Sequence, residues 1–203
     1  RVLRWAKESR TSKTALGVNY ERFGSSADKS YVQGKNLLES ISRPIAVYIG
    51  GLEPIYQIKS LLDAASDLED WTVVIAGAGS LEPLVVTYAN ERKNIRFLGE
   101  VSHEKIPGML QAADVGVSLV DDPHTLKILE YGAAGLPTVQ LDGQAHERFG
   151  DYLTYTNGDP EDVATAIKRA YTRGFDERHR EFAQRHDWSK IADDYVTAIE
   201  IVR

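Results

Sequence analysis

From about Pro44 onward, short apolar runs alternate along the chain with longer amphipathic stretches. The runs are rich in β-branched residues, which is typical of parallel strands covered on both faces. The stretches between them have the length and period of helices. Because strands alternate with crossover helices, the pattern predicts an α/β fold with a doubly wound parallel sheet of about six strands. The predicted strands are 45–49, 72–76, 95–98, 115–119 and 137–141, and the predicted helices between them are 57–65, 81–92, 104–112 and 125–134.

The two ends of the chain follow the alternation less closely. A sixth strand is expected after Gly150, within 151–155, and Asp159 followed by Pro160 has the sequence of a helix N-cap. Before residue 44, the sequence predicts a helix over 1–12, a strand over 14–18, and a polar connection at 24–29 that leads into 31–40. The remaining predicted helices are 161–172, 176–184 and 189–202.

Composition narrows the class of protein. The 203 residues are 42% hydrophobic and 27% charged, and a chain of this length buries about 70% of the surface that its unfolded form exposes. Because there is no cysteine, a disulfide framework, a zinc–thiolate site, an iron–sulfur cluster and a thiol nucleophile are excluded. The net charge of −6 argues against binding nucleic acid through a broad basic face. No apolar run approaches the ~20 residues that span a bilayer.

The stretch 121–139 carries the strongest candidate chemistry. It follows a predicted strand and opens a predicted helix, so free backbone N–H groups near 124–126 are expected to face the carboxyl edge of the sheet and bind phosphate. Lys127 adds a positive charge, Glu130 a carboxylate for ribose hydroxyls, and Asp122 a carboxylate for a second sugar. This arrangement indicates a site for a nucleotide diphosphate sugar. The alternative left open is an ordinary capped helix with solvated polar side chains.

The same stretch resembles a known family signature. Within 123–139, the residues Leu126-Lys127, Glu130-Tyr131, Ala133-Ala134-Gly135 and Pro137 resemble the donor-binding signature of retaining glycosyltransferases of the GT-B fold, the large group 1 glycosyltransferase family. Further segments resemble the family in the right order along the chain: 16–23, 48–52, 74–79, 94–99, 112–117, 158–161 and 186–189.

The resemblance covers almost the whole chain but only the carboxyl-terminal half of a GT-B enzyme, which has two Rossmann-like domains. It implies that 44–203 is a Rossmann-like donor-binding domain, and that 1–43 is a connecting segment and linker from an absent N-terminal acceptor domain. The implied function is a hexosyltransferase-type glycosyltransferase that moves a sugar from a nucleotide diphosphate sugar to an unknown acceptor with retention. The isolated fragment is expected to bind nucleotide but to transfer little or no sugar.

The resemblance also implies what accompanies the reaction. The nucleotide sugar is the substrate, with no cofactor, no metal ion and no nucleic-acid partner. The full-length protein is expected in the cytoplasm, and peripheral association at the membrane stays open.

Residue roles follow from the same resemblance. Glu130 matches the second glutamate of the family's E-x7-E motif, which binds the donor ribose, and Asp122 stands where the first glutamate would contact the transferred sugar. These two carboxylates are the expected catalytic residues. The turn at Glu100 and Val101 matches the loop that reads the donor base. The full expected donor-binding set is Gly50, Gly51, Gly77, Gly79, Glu100, Val101, His124, Thr125, Leu126, Lys127 and Glu130.

Two positions depart from the family pattern. The family has an arginine after the glycine of its first strand and a lysine five residues later, both neutralising the leaving diphosphate; here they are Gly51 and Tyr56. The candidates to replace these cations are Lys59, Lys127 and Arg148. The departures keep two alternatives open: a catalytically inactive glycosyltransferase-like binding or scaffold domain, and a GT-B-type sugar-nucleotide epimerase.

The remaining histidines receive structural interpretations. His179 and His186 stand among arginines and predict a solvated helix face rather than a metal site. His103 is expected in the turn that begins a helix. His146 and Arg148 are expected in a loop at the same sheet edge, where donor contact stays open. The tryptophans, Trp5, Trp71 and Trp188, are expected to pack.

Overall fold

One six-stranded parallel sheet forms the centre of the protein. The computed structural model describes residues 16–25 and 28–201, so the predictions for 1–15 and for Trp5 lie outside it. The strands are β1 (Ile45–Ile49), β2 (Thr72–Ala76), β3 (Ile95–Phe97), β4 (Val115–Ser118), β5 (Thr138–Leu141) and β6 (Thr154–Thr156). Their order is β3-β2-β1-β4-β5-β6, and every pair is parallel. The predicted doubly wound α/β fold is confirmed.

Helices cover both faces of the sheet. They are α1 (Tyr20–Ser25), α2 (Lys29–Glu39), α3 (Ile58–Ala64), α4 (Glu82–Glu91), α5 (Ile106–Ala112), α6 (Leu126–Ala134), α7 (Gln144–Phe149), α8 (Pro160–Arg173), α9 (Glu177–Arg185) and α10 (Trp188–Ile201). None of these helices is long and apolar enough to cross a membrane.

The strands are apolar on both faces because each face carries its own core. Val73 and Ile75 of β2 pack in the cluster on the α3 and α8 side, whereas Val74 and Ala76 pack in the cluster on the α5 and α6 side. This alternation follows from successive strand side chains pointing to opposite faces. Fully burying one such aliphatic side chain stabilises the fold by roughly 1.5–3 kcal/mol.

The described part of 1–43 packs on the same domain. Val18 pairs with the segment before α10, accepting from Trp188 N at 3.0 Å and donating to His186 O at 2.9 Å. The expected strand over 14–18 is reduced, among described residues, to this one bridge. Phe23 and Leu38 are buried in the core on the α5 and α6 side. The division at residue 43 therefore stays a prediction.

Three local predictions need correction. The expected strand over 151–155 begins only at Thr154, because Gly150–Tyr152 forms a 3-10 turn with Gly150 at φ +56°. Asp159 stands at the N-cap of α8, but its side chain makes no capping bond; Asp162 instead accepts from Thr156 Oγ1 at 2.9 Å. Trp71 is buried as expected, whereas Trp188 packs on Gly17 with half of its surface exposed.

His146 and Arg148, expected in a loop, lie on the helix α7 (Gln144–Phe149). The side chain of Asp121 accepts from Gln144 N at 2.8 Å and so satisfies a donor of its first turn. Gly143, directly before the helix, has φ +146°. His146 and Arg148 therefore lie on a helix, which fixes the direction of both side chains.

Candidate functional site

A cleft of about 430 Å³ opens at the carboxyl ends of β1 and β4. The chain runs outward from these two neighbouring strands in opposite directions across the sheet, and such switch points are where open α/β sheets bind ligands. Seven of the predicted site residues line the cleft: Gly50, Asp122, His124, Thr125, Leu126, Lys127 and Glu130. Its other lining residues are Leu16, Ile49, Tyr56, Ile106 and Val120.

The loop before α6 uses some of the N–H groups that were expected to be free. Asp122 Oδ1 accepts from His124 N at 2.8 Å, and Asp122 O accepts from Thr125 N at 3.3 Å. The open donors therefore begin at Leu126, the first residue of α6. N–H groups of a first turn have no intrahelical acceptor, and the Thr125 side chain does not cap them. The helix end remains suited to an anion, displaced toward Leu126 and Lys127.

Lys127 is held by two aromatic rings at the wall of the cleft. Its Nζ lies 4.3 Å from the ring centroid of Tyr56 and 5.2 Å from that of Tyr48, which is cation–π geometry. A Cβ placed on Gly50 would lie only 2.9 Å from Nζ, so a side chain there would require the amine to shift. Within the described chain, no carboxylate forms an ion pair with Lys127. Burial lowers the pKa of Lys127, and the charges of Glu130 and Asp122 only partly oppose this effect.

The contacts of Lys59, Lys127 and Arg148 distinguish among the three cations that could replace the family's arginine and lysine, which are Gly51 and Tyr56 here. Lys59 binds Asp63 at 2.6 Å on an exposed face of α3. Arg148 lies behind the 123–124 turn and bonds to it. Lys127 alone of the three lines the cleft. Tyr56, one of the two departures from the family pattern, supplies a ring that holds it.

Glu130 is tied to the turn that follows β3. His103 Nε2 donates to Glu130 Oε1 at 3.4 Å, and this hydrogen bond is the main cause that raises the pKa of His103. His103 lies just before α5, as predicted, with its ring edge-on to the buried Phe23. The carboxylate of Glu130 is therefore oriented at the cleft by a side chain from a different loop.

Five predicted donor residues do not line the cleft. Gly77 and Gly79 have packing roles: a Cβ on Gly77 would lie 1.8 Å from Gly50 O, and one on Gly79 would lie 2.6 Å from Leu52 O. Gly51 packs under the Tyr56 ring, Glu100 is exposed, and Val101 packs against the core on the α5 and α6 side. Their roles as donor ligands stay predictions.

His146 does not reach the cleft either. Its Nδ1 donates to Asp142 Oδ1 at 2.9 Å, and its ring stacks on Tyr155 with centroids 4.0 Å apart. These two contacts account for its position on α7. Arg148, two residues later, donates to the 123–124 turn. The sequence left its role open, because this contact forms only when two separate segments of the chain pack together.

The prediction of a solvated face at His179 is wrong. His179 is 1% exposed, and its Nε2 donates to Ile128 O at 2.7 Å. Gly132 of α6 leaves room for the ring, since a Cβ there would lie 2.6 Å from it. The neighbouring arginines misled the sequence interpretation because adjacent helical residues point in different directions. His186 is half-buried and stacks on Phe182.

Replacing His179 by glutamine is expected to change how stability depends on pH. Burial lowers the pKa of His179 to about 4, whereas an unfolded histidine titrates near ~6.5. Between these pH values the unfolded chain binds a proton at this histidine and the folded chain does not. The contribution of His179 to the unfolding free energy is therefore complete above about pH 6.5 and is lost as the pH falls toward 4. Urea unfolding at pH 7, 5.5 and 4.5 should show a steeper loss in the wild type than in His179→Gln. Parallel losses would contradict this assignment.

Within the part of the chain that the structure describes, no group of three or more histidine, aspartate or glutamate side chains is arranged to hold a metal ion.

Comparison with known proteins agrees with this fold. The family model described as "Glycosyl transferases group 1" matches residues 43–173. A protein of Bacillus subtilis (strain 168), named "Putative teichuronic acid biosynthesis glycosyltransferase TuaH", is 27% identical over 190 residues, which cover 85% of this chain and 46% of that protein. The chain thus spans about half the length of the curated relative it matches.

Two solved structures share the fold. One is Anabaena Alr3699/HepE in complex with UDP and glucose, with a TM-score of 0.78 and 16% identity over 98% of this chain and 59% of that chain. The other is the C-terminal domain of LpcC, a glycosyl transferase group 1 family protein from Francisella tularensis. It has a TM-score of 0.61 and 15% identity over 88% of this chain and 98% of that chain.

Proposed function

We propose a nucleotide-sugar donor site from the premise that this chain belongs to the glycosyl transferases group 1 family. The observation that carries the proposal is the amine of Lys127, which is partly buried, lacks a carboxylate partner among the described residues, and stands beside the open N-terminus of α6. A desolvated cation without a counter-ion is unfavourable by itself. A bound diphosphate would supply the missing charge.

The roles of the lining residues follow from their positions. The first-turn N–H groups of α6 and the Lys127 amine would bind the diphosphate, since a helix N-terminus and a cation both favour negative charge. Glu130, held by His103 at 3.4 Å, would accept hydrogen bonds from the ribose hydroxyls. Asp122, exposed at the mouth of the cleft, would contact the transferred sugar.

The proposed reaction is sugar transfer with retention. As the bond from the sugar to the diphosphate breaks, negative charge grows on the leaving phosphate oxygens. Lys127 and the α6 dipole would lie where that charge develops, which is how fixed dipoles lower such a barrier. The nucleotide sugar is the substrate of this reaction, and it calls on no cofactor.

The chain would be the donor-binding half of a larger enzyme. This is supported by the 46% of TuaH that it spans and by its match to 98% of an isolated C-terminal domain of LpcC. The acceptor would then be bound by a domain outside this sequence. By itself the chain is expected to bind nucleotide and to transfer little or no sugar.

A thermal-shift screen with UDP, GDP, ADP and their sugar conjugates tests the proposal. The nucleotides of one base are expected to stabilise the chain. A ligand at 100 times its Kd adds about 2.7 kcal/mol to the unfolding free energy. Glu130→Gln should remove most of that shift, since the amide has one acceptor oxygen where the carboxylate has two, and its NH2 group only donates. Glu91→Gln, exposed at the end of α4, is the matched control and should keep the full shift. If no compound stabilises the folded chain at millimolar concentration, the proposal fails.

The inactive binding domain remains the second candidate, because Gly51 and Tyr56 replace the family's two cations. A cation near the proposed phosphate position is the feature that distinguishes a transferase from an inactive domain. Lys127 lines the cleft and is such a cation. This favours the transferase. Nucleotide binding without turnover in the two-domain protein would instead favour the inactive domain.

A further inference from the structure

The guanidinium of Arg148 joins the donor cleft to the end of α9. Its Nη1 donates to Pro123 O at 2.6 Å and to His124 Nδ1 at 2.6 Å, and its Nη2 donates to His186 Nε2 at 3.3 Å. The group lies 5.5 Å from the ring centroids of both Phe149 and Phe182. In the described chain no carboxylate forms an ion pair with Arg148. Its charge is therefore directed at the turn that precedes α6.

These contacts decide which nitrogen of His124 carries the proton. Arginine has only donors and stays charged, so His124 Nδ1 must accept. A neutral ring that accepts at Nδ1 carries its proton on Nε2. No described residue bonds to that Nε2, and His124 lines the cleft. The ring thus offers one N–H donor at the site.

His186, the second histidine that contacts Arg148, also accepts from the guanidinium. Its Nδ1 donates to Phe182 O at 2.8 Å, because a carbonyl oxygen cannot donate, and its Nε2 is left to accept from Arg148. Burial lowers the pKa of Arg148 and of His186. The arginine is therefore held on two neutral imidazoles and one carbonyl, a set in which nothing cancels its charge.

We propose that Arg148 is a positioning residue that fixes His124 as an Nε2–H donor to the diphosphate of the bound nucleotide. Arg148 would thus add to the charge of Lys127, acting on the phosphate through the polarised imidazole of His124. This inference rests on the proposed function. It assigns His124 a side-chain contact with the phosphate, whereas its backbone N–H is already bonded to Asp122.

A purely structural role for Arg148 predicts something different. An arginine that only fastens the 123–124 turn would, when removed, lower stability and weaken every ligand of the cleft alike. A positioning role predicts a loss confined to ligands that carry the diphosphate, and a change in the proton position of His124.

Two measurements on the same variants test this. The variants are Arg148→Met, His124→Phe and the double variant, with Arg173→Met as the control. Arg173 also donates to backbone carbonyls, those of Leu153 and Asp151, but it does not line the cleft. Calorimetry compares UDP, GDP and ADP with their nucleosides, and ¹⁵N spectra of labelled histidine report which ring nitrogen is protonated.

We expect Arg148→Met and His124→Phe each to weaken diphosphate binding about three- to tenfold, the range for one hydrogen bond, with nucleoside binding unchanged. The double variant should bind no more weakly than His124→Phe, because both changes remove one pathway. The wild-type spectrum should show His124 protonated on Nε2, and Arg148→Met should show a mixture of tautomers.

An Nδ1–H ring at His124 in the wild type overturns the inference without any variant. Equal losses for nucleosides and diphosphates, or additive losses in the double variant, also overturn it while leaving the donor site intact. Failure of the wild type to bind any diphosphate overturns the proposed function, and this inference with it.

Discussion

Replacing Lys127 by methionine is expected to weaken binding of a nucleoside diphosphate by about 10- to 100-fold. A hydrogen bond to a charged group contributes roughly 1.5–3 kcal/mol, which corresponds to that range of affinity. The amine is the cation that lines the cleft beside the α6 N-terminus, held by the rings of Tyr56 and Tyr48. Methionine fills similar space against these rings without the charge. Calorimetric titration of the diphosphate selected by the thermal-shift screen measures the loss.

Lys59→Met is the control for this change. Lys59 carries the same charge but pairs with Asp63 on an exposed face, so its loss should leave nucleotide affinity within about twofold. The unfolding free energy of Lys127→Met should be equal to or above that of the wild type, because burial of the Lys127 charge already opposes folding. Wild-type affinity in Lys127→Met, or an equal loss in both variants, would remove Lys127 from the site.

Gly77→Ala is expected to lower the free energy of unfolding by roughly 3–5 kcal/mol, the sum of backbone strain and overpacking. Gly77 follows β2 at φ +144°, a conformation that side chains rarely adopt. A Cβ there would lie 1.8 Å from Gly50 O and 2.9 Å from Gly50 C, so the backbone after β1 would have to move. Because Gly50 borders Lys127, the move would also disturb the cleft. Urea unfolding gives the loss of stability.

Gly99→Ala is the matched control. Gly99 also has a positive φ, +66°, but nothing lies within 4 Å of the position of its Cβ. Only the left-handed conformation is then penalised, by about 1–2 kcal/mol. The difference between the two variants reports the contact with Gly50 together with the less accessible φ of Gly77. Equal losses would show that this contact contributes nothing.

The sheet was predictable because its signal is local. The runs 45–49 and 72–76 carry apolar residues on both faces and coincide with β1 and β2, since a strand buried between two helix layers needs no polar side. Seven of the described helices, α3 to α6 and α8 to α10, were predicted within two residues of their observed ends for the same reason, whereas α1 was not predicted as a helix. The segment 144–149 was missed because its helix depends on Asp121, a residue from the loop after β4.

Most of the residues that line the cleft were predicted as well. The stretch from Asp122 to Glu130 is continuous in sequence, and the end of a strand followed by the start of a helix necessarily faces the carboxyl edge of the sheet. What the stretch could not reveal is which of its backbone groups are occupied. Asp122 takes the His124 N–H, and that bond depends on the shape of the turn rather than on residue type.

The sequence by itself determined the parallel sheet, the place of the cleft and the carboxylates at its rim, because all of these arise within single strand–loop–helix units. Only the tertiary structure decided which cation serves the cleft, why Tyr56 is compatible with it, and what Arg148 and His179 do. Those answers depend on the contacts of Tyr56 with Lys127, of Arg148 with His124, and of His179 with Ile128. Each contact joins elements far apart along the chain, and only packing of the two helix layers on the sheet brings them together.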